Sequence, residues 1–396
     1  LSIRRQRQMC IRDRKKDGTL TAFSYKNYTC GGVGAGDSCA EPLVDVYKCP
    51  NVKVEEYTVF ANTVASRPTR APGHVQGTLA LEGFMEELAN ELGMDPLELR
   101  KKNYSLKSRG DTDIPYSSKG LDQCYQIGAE KIGWERRNKK PGEGNGKLRR
   151  GLGMASQIWW GLGRAGTQAD VRLHPDGSVE AICGTQDIGT GTRTYIAEVA
   201  AETLGLEPKD IMVKIGNTEY PWSGSSGGST TTPSVAPAVR DAALKAADYL
   251  KNLAAKKFGV TTDQVDIESK KLFNRNNTAQ SIDFQALIRE HRRELVFHGE
   301  CGGRPADYAY NTFGAHFAEV EVDVETGKIK VVKYVAVHES GRIMNKLTAE
   351  SQVIGGITQG ISTALFEERV MDIPTGKVIN PNLRDYKIAT SMDIPE

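Results

Sequence analysis

The 396-residue chain is long enough for two to four domains at about 100–200 residues each. Its 52 Lys and Arg nearly cancel 50 Asp and Glu, which excludes the basic footprint of a nucleic-acid-binding protein. No run approaches the ~18 apolar residues of a membrane-spanning helix, and seven Cys without a CxxC pair exclude a zinc ribbon or an iron–sulfur cluster within the chain and read as reduced thiols. Glycine stands out, with 41 residues where average usage of roughly 7% gives about 28.

Residues 1–14, LSIRRQRQMCIRDR, hold five Arg and one Asp with no amphipathic period. They read as a non-native leader rather than a basic arm, and without them the net charge passes from +2 to −2. Residues 15–50 read as Gly-rich and irregular, with GGVGAG at 31–36. Residues 52–63 alternate as a strand does, and Leu81, Phe84, Met85, Leu88 and Leu92 recur at helical spacing over 78–92. Asp95-Pro96-Leu97-Glu98 opens a second helix, with Asp95 as N-cap, Pro96 in the first turn and Glu98 closing a capping box. Residues 105–150 are polar, and 138–147 form the best linker.

Beyond it, residues 151–160 read as a strand and 169–184 as a hairpin turning at Asp176-Gly177. DIGTGT leads into a helix over 193–204, and 211–216 form a strand. SGSSGGSTTT (223–232) leads into an Ala-rich helix ending near Phe258. Residues 316–339 form a second hairpin turning at Glu325-Thr326-Gly327, and 348–368 a final helix. Strands and helices mix without strict βαβ alternation, so the expected class is α+β.

Gly161, Gly163 and Gly166 match G-x-G-x-x-G, but a strand follows them where a dinucleotide site needs a helix, which excludes the Rossmann reading. Three other segments place Gly, Ser or Thr at a helix start: Gly189–Thr192, Gly227–Thr232 and Glu350-Ser351-Gln352. Glycines let backbone N–H groups approach a ligand, hydroxyls add donors, and a helix N-terminus favours an anion. Singly each is an N-cap or a flexible linker; together they suit a phosphate or pyrophosphate. No Lys follows in Walker fashion, and the six His lack metal-ligand spacing. Trp159-Trp160 fits either a packed core or an aromatic pocket.

The same phrases resemble the molybdenum-binding large subunit of the xanthine dehydrogenase/aldehyde oxidase family of molybdenum hydroxylases. The likeness covers about residues 47–103 and 151–396. TRAPGHVQGTLALEGFMEELANELGMDPLELRKKN resembles the family's R-G-F/P-G block and the helices after it. DIGTGTRT resembles its second glycine motif, GGSTTT its Ser/Thr loop, ESQVIGGITQGISTALFEE its Gln-containing helix and NLRDYKIATSMDIPE its late Tyr-Lys block.

The resemblance implies two molybdopterin-binding domains, both incomplete. Residues 15–110 would be the end of the first, 111–150 a connecting segment, and 151–396 the second, cut before the catalytic-base motif. It implies a molybdenum–molybdopterin cofactor, in bacteria usually the cytosine dinucleotide form, with [2Fe-2S] clusters and FAD on partner subunits, and a cytoplasmic or, with an exported partner, periplasmic complex. Arg70 would be the catalytic cation beside the metal. Ile188, Gly189, Thr190, Gly191 and Thr192, then Gly227, Gly228, Ser229, Thr230, Thr231 and Thr232, and finally Gln352, would hold the cofactor. Pro72, Trp159, Trp160 and Arg164 would line the substrate pocket.

Pro72 stands where purine-oxidising members carry Phe, which favours an aldehyde over xanthine, with purine oxidation as the alternative. Thr190 replaces a common Gln, and Glu339 and Lys346 replace the Asp and Pro of a D-x-G-x-x-N-P turn. The first glycine motif and the Gly-Glu pair of the general base are absent, so the resemblance implies an internal fragment that is inactive alone. The competing reading is a non-catalytic scaffold that binds molybdopterin or phosphate.

Overall fold

The computed structural model describes residues 9–34, 36, 38–108, 114–140 and 142–395, with side chains from Asp13 onward. Residues 9–14, within the expected leader, pair as β1 (Met9–Arg14) antiparallel to β2 (Leu20–Gly32). β2 corrects the expectation of an irregular 15–50. Its buried face carries Tyr25, Asn27 and Thr29, so polar residues break the apolar alternation that marks a strand. After the short α1 (Glu41–Asp45), β3 (Asn51–Phe60) runs parallel to β2.

α2 (His74–Leu92) buries Leu81, Phe84, Met85 and Leu88. α3 (Pro96–Lys102) starts as expected, with the Asp95 carboxylate accepting from Leu97 N at 2.8 Å and Glu98 N at 3.3 Å. Glu98 pairs with Lys101 at 2.9 Å, so the capping box is not closed from its side. α4 (Leu121–Ile132) lies inside the expected connecting segment and is a core element, with Leu121, Tyr125 and Ile132 fully buried. Gly128 explains its fit: a Cβ there would stand 2.2 Å from the Phe317 ring, so only glycine lets the helix sit on that side chain. β4 (Leu148–Trp160) follows.

β5 (Gln168–Leu173) and β6 (Val179–Cys183) form the expected hairpin, with Gly177 at φ +89° in its turn. α5 (Thr192–Leu204), β7 (Ile211–Ile215) and α6 (Thr231–Phe258) come next. Pro237 does not end α6; it removes the N–H that would reach Pro233 O, and the Cys301 thiol approaches that carbonyl at 3.9 Å. β8 (Val265–Glu268), β9 (Lys271–Asn274), β10 (Asn277–Asp283), α7 (Phe284–Arg289) and β11 (Leu295–Glu300) follow, none of them anticipated in the sequence. β12 (Asn311–Asp323) and β13 (Ile329–Glu339) are the second hairpin, and α8 (Lys346–Leu365) the last helix.

The chain divides into two compact units. The first comprises residues 1–160, 307–341 and 353–396. It holds the β1-β2-β3 sheet and an antiparallel β13-β12-β4 sheet, and its core joins α2, α3 and α4 to Phe313, Ala315 and Phe317 of β12. The second comprises residues 161–306 and 342–352. Its sheet runs β11-β5-β6-β7, with only β6 and β7 parallel, beside a small β10-β9-β8 meander. The Ala-rich face of α6 packs on β11, where a Cβ at Gly299 would stand 2.2 Å from Ala238 O and 2.3 Å from Ala242 N. Small residues on both sides permit that approach. Mixed α+β layers are thus the class the structure has.

Candidate functional site

In the second unit, the stretches leading into two of the Gly/Ser/Thr segments are bonded to each other. Gly184 N donates to Pro221 O at 2.8 Å, Ser226 N to Gln186 Oε1 at 3.0 Å, and Ser226 Oγ to Gln186 O at 2.8 Å. Thr230 Oγ1 donates back to Gly227 O at 2.9 Å, and the loop enters α6 through Ser229 at φ +60°. The start of α8 joins them, since a Cβ at Gly191 would fall 2.6 Å from Thr348 Cγ2. Asn345 caps that helix through Thr348 N at 2.9 Å and donates to Glu198 of α5 at 2.7 Å. Gln352 lies one turn further along α8.

The sequence reading missed Gln186 and Asp187, the two residues that organise these loops. Asp187 accepts from Gly189 N at 2.9 Å, Thr190 N at 3.2 Å and Arg193 N at 3.4 Å. Burial pushes its carboxyl up, but these N–H bonds outweigh it and hold the group below the ordinary carboxylate range. The N–H groups expected to face a ligand at this helix start are therefore engaged by the chain's own carboxylate. The loop still presents the Thr190 hydroxyl, 3.4 Å from that of the buried Thr192, and a Cβ at Gly189 or Gly227 would meet nothing within 4 Å. An acid four residues before a Gly-x-Gly helix start was the signal available in the sequence.

Arg164 belongs to this unit too. Its backbone N donates to Ser234 Oγ at 2.8 Å, and its side chain covers Gly224, where a Cβ would fall 2.5 Å from Arg164 Cδ. Trp159 and Trp160, with which the resemblance grouped it, belong to the first unit.

There, Arg70 heads a tight turn into α2. Ala71 takes φ +43° and Gly73 φ +78°, and His74 N donates to Ala71 O at 3.1 Å. A non-glycine residue at that φ is strained, and such strain gathers at functional positions. Arg70 Nη1 would lie 3.5 Å from a Cβ at Gly355 and 3.6 Å from one at Gly356, so the guanidinium rests over the glycine pair of α8. After Pro72, His74 packs on both indoles, with ring centroids 4.5 Å from Trp159 and 5.0 Å from Trp160. Its Nε2 is 3.1 Å from Glu41 Oε2. The half-buried Trp pair thus rests on a buried imidazole that composition alone marks as filler.

Among the described residues, no group of three or more His, Cys, Asp and Glu is arranged to hold a metal, and no helix is long and apolar enough to cross a membrane. The loops suit an anionic cofactor: Gly189 and Gly227 open onto free space, and the Thr190 hydroxyl stands beside a helix start. Arg70, held at a strained turn, supplies fixed positive charge in the first unit.

Residues 13–104 and 127–395 each match a family described as molybdopterin cofactor-binding domain. The chain belongs to the molybdenum-binding subunits of the xanthine dehydrogenase/aldehyde oxidase family. It is 34% identical over 384 residues to the aldehyde oxidoreductase molybdenum-binding subunit PaoC of Escherichia coli K12, covering 96% of this chain and 51% of that one. It is 28% identical over 402 residues to the xanthine dehydrogenase molybdenum-binding subunit of Escherichia coli O157:H7, covering 96% and 53%. The chain spans about half the length of these relatives. In fold it matches quinoline 2-oxidoreductase from Pseudomonas putida 86 with a TM-score of 0.87 at 23% identity, over 99% of this chain and 54% of that one.

Proposed function

We propose that this chain forms part of a molybdenum hydroxylase that oxidises aldehydes. Molybdopterin, in its cytosine dinucleotide form, is held by Ile188–Thr192, Gly227–Thr232 and Gln352. The observation that carries the reading is the joining of segments about 40 residues apart through Gln186 and Ser226, with Thr348 of α8 packed on Gly191. When bound, the cofactor supplies a two-electron oxidation in which water provides the oxygen and two electrons and two protons leave.

The chain's own residues bind and orient. Thr190 donates its hydroxyl to phosphate, with the buried Thr192 hydroxyl 3.4 Å behind it, and Asp187 fixes the loop that carries both. Arg70 stabilises negative charge growing on the substrate oxygen. Trp159 and Trp160, braced by His74, wall an apolar pocket. Pro72 leaves that wall without a stacking ring, and the 34%-identical relative is an aldehyde oxidoreductase subunit; both favour an aldehyde over a purine. Electrons pass to [2Fe-2S] and FAD partner subunits. Cys30, Cys124, Cys183 and Cys301 are free thiols, which suits a reducing cytoplasm over an oxidising periplasm.

The test uses the intact complex with a dye acceptor and a panel of aromatic aldehydes, aliphatic aldehydes and xanthine. Arg70→Ala is expected to lower kcat/KM about 10²–10³-fold on aldehydes with molybdenum content unchanged. Turnover of xanthine alone refutes the substrate reading, and full aldehyde activity in Arg70→Ala refutes the role of the arginine.

A further inference from the structure

The first unit holds a polar row that the proposed reaction does not use. On the face of the β13-β12-β4 sheet away from the Phe313–Phe317 core, His338 lies opposite Gly314, and His316 lies two residues further along β12, opposite Ala336. The imidazoles are diagonal cross-strand neighbours, and their Nε2 atoms approach to 2.9 Å. The outer nitrogens are held from both ends. His316 Nδ1 is 3.0 Å from the Tyr334 hydroxyl, and His338 Nδ1 is 3.4 Å from Gln157 Nε2 on β4.

Gly314 makes this possible. A Cβ there would lie 2.8 Å from Gln157 Nε2 and 3.2 Å from His338 Nδ1. Glycine weakens a strand interior and marks places where other groups must come close. With no ion present the row closes as one chain of donors: Gln157 Nε2–H to His338 Nδ1, His338 Nε2–H to His316 Nε2, and His316 Nδ1–H to the Tyr334 oxygen. One proton thus lies between two ring nitrogens.

We propose that His316 and His338 form a two-imidazole binding site for a first-row divalent metal ion of the zinc or copper kind, with water completing the coordination. Metal–nitrogen bonds of about 2.0–2.1 Å at a tetrahedral angle set the two nitrogens about 3.3 Å apart, so the pair opens by only about 0.4 Å. His338 moves its proton from Nε2 to Nδ1, and Gln157 turns its amide to accept it through Oε1. No proton leaves the site. Both rings then donate their outer N–H to a fixed acceptor, the arrangement that orients metal-bound histidines.

Zn²⁺ titrated into the purified chain at pH 7.5 in a non-chelating buffer, read by calorimetry, is expected to bind one equivalent in the micromolar range. His316→Gln and His338→Gln are each expected to weaken it at least tenfold, and Tyr334→Phe, which keeps both ligands, about tenfold. No uptake at millimolar Zn²⁺, or uptake unchanged in both histidine variants, overturns the proposal. If the variants do not fold, ¹⁵N NMR of the parent decides. Zn²⁺ that moves the Nε2 resonances of His316 and His338 supports the site, and Zn²⁺ that leaves them in place overturns it.

Discussion

The deepest polar cluster in the first unit gives the sharpest stability test. Arg100 of α3 is fully buried, and Glu82 of α2 is 5% exposed. Glu82 Oε2 takes Arg100 Nε and Nη2, both at 2.8 Å, while Glu82 Oε1 takes the Tyr47 hydroxyl at 2.6 Å. Ser156 Oγ links Tyr47 at 2.9 Å to Tyr125 at 2.7 Å. Glu82→Gln keeps the shape and removes the charge. Arg100 then retains the carbonyls of Pro96 at 3.0 Å, the residue at position 82 at 3.3 Å and Met154 at 3.5 Å, with the part-exposed Glu86 carboxylate 3.9 Å away.

Removing the close partner of a buried cation costs about 3–5 kcal/mol, and Glu86, more distant and part-exposed, is expected to offset little of it. At a urea dependence of about 2–3 kcal/mol per molar, this lowers the midpoint by about 1–2 M. The assay is urea unfolding followed by tryptophan fluorescence, since Trp134, Trp159 and Trp160 all lie in this unit. The double variant Glu82→Leu/Arg100→Met removes both charges and is expected to recover to within about 1 kcal/mol of the parent. A Glu82→Gln loss below about 1 kcal/mol, the worth of an exposed pair, refutes the reasoning, because it means water reaches the guanidinium.

Gly299→Ala drives a Cβ into the α6 backbone at Ala238 and Ala242 and is expected to cost about 3 kcal/mol. Gly302→Ala, with nothing within 4 Å, is expected to change stability by less than about 0.5 kcal/mol; equal thermal melts for the two would refute the packing argument. Because His316 titrates lower folded than unfolded, its contribution is complete above an unfolded pKa of about 6.5 and is lost as pH falls from there toward about 3. His338, Tyr334 and Gln157 face it, so His316→Gln is expected to flatten the fall in urea midpoint between pH 7.5 and 5.5; an unchanged slope removes His316 from the linkage. Asp187→Ala is expected to raise hydrogen exchange at Gly189 and Thr190 at least tenfold while α6 stays protected, and unchanged exchange would show that the loop holds without its carboxylate.

The sequence alone determined what local spacing and motif order encode. Apolar residues three and four apart foretold α2, Asp95 foretold the start of α3, and Asp176-Gly177 foretold the β5–β6 turn. Five motif blocks in order were enough to place the chain in its family. The tertiary structure decided whatever depends on partners distant in the chain. β2 is a strand because β1 and β3 complete its hydrogen bonds, and α4 is a core helix because Gly128 admits a ring 189 positions later. His338 reaches Gln157 across 181 positions, and no period in the sequence records that distance. Asp187 opens the block that was read, yet its hold on the loop's N–H groups follows from how the chain turns at Gly189 and Gly191. Periodicity carries the conformation of a segment; folding alone brings together groups that bond across the sheet and between loops.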